Sequence, residues 1–171
     1  MLLPSLLLAL AAAPVIPADT RLDIEFKGNT FASAAVLRRQ TTLPRDRDAA
    51  PGQLSAWYRG FGFLDATADV WISFSGFTGG WILVWIDEGV RYKVLGPPCV
   101  DGNTLLPVGV IEAILRLKEG EFYDQTIIER DKARIRAYIG YSGREVRVIE
   151  EVVRAPKKAG FVRVTYRVAA G

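Results

Sequence analysis

Residues 21–28, RLDIEFKG, alternate apolar and polar side chains, with Leu22, Ile24 and Phe26 on one side, and this period of two predicts a strand. Gly28-Asn29 then turns the chain, and a helical rhythm follows to about Gln40, with Thr30 placed to cap its first turn. A second helix is expected over about 52–59, stopped by the glycines of RGFGF. Two more strands follow over 66–75 and 80–89, joined by the turn-forming GFTGG. The predicted order is strand, helix, helix, strand, strand.

The same grammar then returns. A strand is predicted over about 92–100, Gly102-Asn103-Thr104 repeats Gly28-Asn29-Thr30, and Val108, Ile111 and Leu115 have helical spacing. Asp124 is placed to cap a longer helix with Ile128, Ile135 and Ile139 on one stripe. REVRVIEEVVR and FVRVTYRV read as the closing strands, separated by PKKAG. The pattern divides the chain into units at 19–90 and 91–171, with Glu88, Gly89, Arg91 and Tyr92 at a joint too short to leave much freedom.

The chain ahead of the first unit has a different character. Leu2 to Val15 is apolar but interrupted by Pro4 and Pro14, too short to span a bilayer, and followed by small residues. Residues 1–18 are therefore expected to be a secretory signal, although no Lys or Arg precedes the apolar core.

Composition narrows the function classes. Half of the 171 residues are hydrophobic, as in a globular protein. The 22 basic residues are interleaved with 19 acidic ones, as in RDRD at 45–48, and a net charge of only +3 gives no stripe for nucleic acid. With no histidine, the commonest metal ligand and general base are missing. Cys99 is the one cysteine, so no disulfide forms within the chain, and it is expected to be a structural thiol. There is no G-x-S-x-G nucleophile turn. An enzyme is not expected, nor is a cofactor or metal.

Taken in order, I-x-F-x-G-N, two helices, Tyr58-x-x-x-Gly62-Phe63-x-Asp65-Ala66, and Glu88-Gly89-x-Arg91-Tyr92, then most of these again, resemble tandem POTRA (polypeptide-transport-associated) domains of BamA-like outer-membrane proteins. The second copy departs at Arg144, where the family has an aromatic. The resemblance implies an α+β fold of two tandem β-α-α-β-β domains, each a three-stranded mixed sheet covered on one face by two helices. It gives Gly28, Asn29, Gly102 and Asn103 the role of corners between sheet and helices, and makes Tyr58, Phe63 and Tyr138 packing residues. It also implies a periplasmic location at the outer membrane. The partners it implies are unfolded outer-membrane or secreted polypeptides, a C-terminal β-barrel outside this chain, and accessory assembly proteins. A POTRA-type structural domain of a septal cell-division protein or a two-partner secretion protein is the alternative.

Function then belongs to surfaces. An exposed sheet edge accepts an extended client as a further strand. FVRVTYRV alternates cleanly, Val162, Val164, Tyr166 and Val168 against Arg163, Thr165 and Arg167, whereas WILVWI is apolar on both faces. If Ile82, Val84 and Ile86 face the helices, then Trp81, Leu83 and Trp85 lie on the opposite face, joined there by Trp71. These four are the candidate client-binding residues. The reverse assignment, with the tryptophans as core, is also compatible with the alternation.

Overall fold

The computed structural model describes residues 21–75, 79–102, 107–140, 143 and 145–170. The expected leader, residues 76–78 at the start of the GFTGG turn, Asn103, Thr104 and Arg144 lie outside the described residues.

The first unit comprises β1 (Arg21–Lys27), α1 (Ala34–Arg39), α2 (Ala50–Gly60), β2 (Thr67–Ser75) and β3 (Gly79–Asp87). Its sheet runs β1-β3-β2, with β3 parallel to β1 and antiparallel to β2. α1 begins later than expected: Ser33 is its cap, accepting from the Val36 amide at 3.4 Å, while Thr30 is bonded elsewhere. Leu37 of α1 and Leu54 and Tyr58 of α2 pack on Phe26, Ile82, Val84 and Ile86 from the sheet. The helices cover one face only, and the alternation of β3 decides which of its side chains they bury.

The second unit comprises β4 (Lys93–Val94), β5 (Cys99–Asp101), α3 (Val108–Ile114), α4 (Gln125–Gly140), β6 (Val146–Arg154) and β7 (Phe161–Ala170). The single strand expected over 92–100 is two short pieces, both parallel to β7. Gly96 at φ 73° and Pro97-Pro98 part them, since proline brings no amide to the ladder. β6 flanks β7 on the other side, antiparallel. Asp124 caps α4 as expected, accepting from the Thr126 amide at 2.8 Å, and Ile128, Ile135 and Ile139 are buried against Val148, Val162, Val164 and Tyr166.

The repeat is visible in the backbone. A Cβ on Gly28 would lie 2.0 Å from the Ile86 carbonyl oxygen, and one on Gly102 would lie 2.3 Å from that of Val168. In each unit the first strand leaves the sheet across the last strand so closely that only glycine, at φ 81° and 76°, fits there. Tyr138 departs from the repeat: it is 44% exposed, not a packing residue like Tyr58, because the inward stripe of α4 runs through Ile135 and Ile139. The tyrosines packed inside the second unit are Tyr92, Tyr123 and, deepest, Tyr166 from β7. Among the described residues no helix is long and apolar enough to cross a membrane.

Candidate functional site

The uncovered face of the first sheet is built by register. On β3, Trp81, Leu83 and Trp85 alternate with the buried Ile82, Val84 and Ile86, so all three point away from the helices. Trp71 stands beside Leu83 on β2, while Asp23, Glu25 and Lys27 of β1 stand beside Trp81, Leu83 and Trp85. Asp69 and Ser73 complete the rows from β2. Trp71, Trp81 and Trp85 are 49%, 46% and 48% exposed, which places three large indoles on one open surface. Leu83, between them, is half-buried.

Strand order decides which edges are free. FVRVTYRV is β7, which is paired on both sides and offers no free edge; in the second unit the full-length edge belongs to β6. In the first unit β2 and β1 are the edges, and WILVWI is likewise the central strand β3. Trp71 therefore lies on an edge strand next to the central pair of tryptophans.

Glu88 has no place on this face. Its side chain turns under the corner after β1, where the carboxylate accepts from the amides of Thr30 at 2.8 Å and Phe31 at 2.9 Å and from the hydroxyls of Tyr58 at 2.8 Å and of Thr30. Burial opposes its ionisation, but the bonds from the Thr30 hydroxyl, the Phe31 amide, the Tyr58 hydroxyl and the Thr30 amide outweigh that, and the carboxyl is held below its ordinary value. The same contact pushes the Tyr58 hydroxyl far above its ordinary value, burial contributing most. The second unit has its own buried acid, Asp131 of α4, which receives the amides of Arg116 and Leu117 and the hydroxyl of Tyr166. Asp131 lies one helical turn from Ile128 and Ile135 on the inward stripe, a spacing that could have revealed it.

The joint is made by Arg91, Tyr92 and the α2–β2 loop. The Arg91 guanidinium lies between the Phe31 ring at 5.0 Å and the Phe122 ring at 4.2 Å, one from each unit, and its Nε donates to the Phe61 carbonyl at 2.9 Å. The Tyr92 amide donates to Gly62 O at 2.8 Å and its hydroxyl to Asp65 at 2.7 Å, while Arg154 pairs with the other oxygen of Asp65. Leu64, from the first unit, packs against the core of the second. Gly62, at φ 94°, permits the approach: a Cβ there would lie 2.8 Å from the Tyr123 carbonyl oxygen. Phe63 is buried beside Tyr58 and Phe31. Gly89, at φ 63°, lets β3 end and the chain turn to Arg91. Asn29 donates its side-chain amide to Ala32 O at 2.7 Å, which closes the corner that Gly28 opens. Cys99 is exposed.

The POTRA family model, described as Surface antigen variable number repeat, matches residues 100–171. Among solved structures, the fold is similar to POTRA domains 3–5 of BamA from Haemophilus influenzae, with TM-score 0.58, 21% identity, and coverage of 88% of this chain and 60% of that one. It is also similar to BamA from Haemophilus ducreyi lacking POTRA domains 1–3, with TM-score 0.59, 15% identity, and coverage of 90% of this chain and 29% of that one. The chain thus spans less than two thirds of either structure. No curated protein matches the sequence. Residues 100–171 thus match the POTRA family model, and the chain as a whole has a fold similar to that of the POTRA domains of BamA.

Proposed function

We propose that the chain is a periplasmic polypeptide-binding module of an outer-membrane β-barrel assembly or protein-translocation factor, which holds unfolded clients on their way to a membrane barrel. In this reading residues 1–18 are its export signal, and 19–90 and 91–171 are its two domains. The observation that carries the proposal is the group of three exposed tryptophans around Leu83 on the uncovered face of the first sheet. Aromatic side chains gathered on an open sheet face mark contact with a partner, because each keeps a large apolar surface in water until something covers it. The free edge of β2 adds to this: an extended client pairing there would lay its side chains next to Trp71.

Mutation tests the assignment. Replacing Trp81 and Trp85 together by Thr should weaken binding of unfolded outer-membrane polypeptides about tenfold or more while leaving the fold intact, since aromatic anchors dominate such contacts. A folded double variant that binds clients as well as the parent would remove this face from the proposal.

A further inference from the structure

The tryptophan face is also acidic, and the acids are positioned against the indoles. Asp23 is the register partner of Trp81 on β1, and Asp69 that of Trp85 on β2. Residues directly opposite in a sheet have Cβ atoms about 5 Å apart, so each indole has a carboxylate at its flank. Glu25 beside Leu83 and Asp87 beyond Trp85 extend the acidic rim. Lys27 stands beside Trp85 on the side away from Asp69, and its ammonium is held by Glu25 at 3.5 Å. Among the described residues neither Asp23 nor Asp69 has an ion pair.

An indole face with a carboxylate at its edge holds a cation twice over, through the ring quadrupole and through charge. Trp81 and Trp85 are four residues apart on one strand, about 13 Å at the strand rise. A client lying extended along β3 presents its own residues i and i+4 on the same side at that same spacing. We infer that this face selects extended polypeptide segments carrying Lys or Arg at positions four apart, each cation taken by a tryptophan–aspartate pair: Trp81 with Asp23 and Trp85 with Asp69. The open face of the second unit has the opposite sign. Arg147, Arg163 and Arg167 point outward there against Glu151, which pairs with Arg167, and Asp101, so the balance is basic and would direct such a segment to the first unit.

This selectivity rests on the client-binding reading above, and the test separates the two. Labelled extended peptides of Ser, Thr and Tyr, with Lys, Gln or Glu at two positions four apart, are titrated with the whole chain and with Trp81→Thr/Trp85→Thr and Asp23→Asn/Asp69→Asn. The expected result is that the Lys peptide binds about tenfold tighter than the Gln peptide, and the Glu peptide weakest. The Lys preference should shrink in high salt and disappear in the Asp variant. Equal binding of all three peptides, lost in the Trp variant, would overturn the cation selectivity and leave the client face standing. Binding untouched by the Trp variant would overturn both. Self-association, or sedimentation with anionic vesicles, abolished by the Trp variant would assign the face to a second copy or to lipid and overturn the inference.

Discussion

The two units present the same covered face and opposite open faces. Under the helices, Ile82, Val84 and Ile86 in one unit and Val162, Val164 and Tyr166 in the other are equally buried. On the outside, the first sheet displays Trp71, Trp81 and Trp85 among carboxylates, while the second displays Arg147, Arg163, Thr165 and Arg167 beside Ile149 and Val153, with Arg167 paired to Glu151 at 2.6 Å. Burial fixes what a sheet must put under two helices and leaves the other face free. Two copies of one fold are therefore free to divide the labour, one presenting an aromatic, acidic open face and the other a largely basic one.

The largest effect should come from the covered face. Ile82→Ala is expected to cost about 3–4 kcal/mol in denaturant unfolding, against about 1 kcal/mol or less for Trp81→Thr, because only the first leaves a cavity. Equal costs would mean that the two faces of β3 are not distinct.

The next effect separates the buried acids. Glu88→Gln should cost about 2–3 kcal/mol at neutral pH, the value of charged hydrogen bonds in a buried network. The sign of its pH dependence follows from the direction of the shift. The folded carboxyl is held below the ordinary value of 4.5, so its contribution is present above that value and is lost as pH falls through the folded value. The stability gap between parent and variant should narrow in acid, read from unfolding curves at a series of pH values. A constant gap would remove Glu88 as the charged hub of the first unit.

Gly62→Ala should cost about 1–2 kcal/mol, since Ala is strained at positive φ, and should act mainly at the joint. Paired spin labels on the two units are expected to report a wider distance distribution, with each unit still folded. An unchanged distribution would mean that the contacts of Arg91 and Tyr92 do not hold the units. The smallest effect is expected for Arg167→Gln, which breaks an exposed pair and should change stability by no more than about 0.5 kcal/mol and client affinity hardly at all.

Much of this was legible in the chain. The alternation of WILVWI, the inward stripe Ile128-Ile135-Ile139 and the Gly-Asn corners each follow from local periodicity or backbone freedom, which a sequence displays directly. The break between β4 and β5 was legible in principle from Pro97-Pro98. Glu88 was read as a joint residue because it adjoins Arg91 in sequence; its partners Thr30 and Phe31 lie more than fifty residues away, and only the sheet brings them together. Tyr138 failed for a related reason. A repeat in sequence puts it opposite Tyr58, but the rotation of α4 is decided by which side chains the second sheet can bury. The order of strands, which makes FVRVTYRV central and not an edge, is a property of long-range pairing that no single segment encodes.

Site-specific photo-crosslinking tests the division of labour most directly. A crosslinking residue is placed at Ser73, beside Trp81 on the open face of the first sheet, or at Thr165, on the open face of the second, and the whole chain is illuminated with an unfolded outer-membrane polypeptide. Adducts are expected from position 73 and few from position 165, with the adducts from 73 competed away by excess unlabelled client. Adducts of equal yield from both positions, or from position 165 alone, would contradict it.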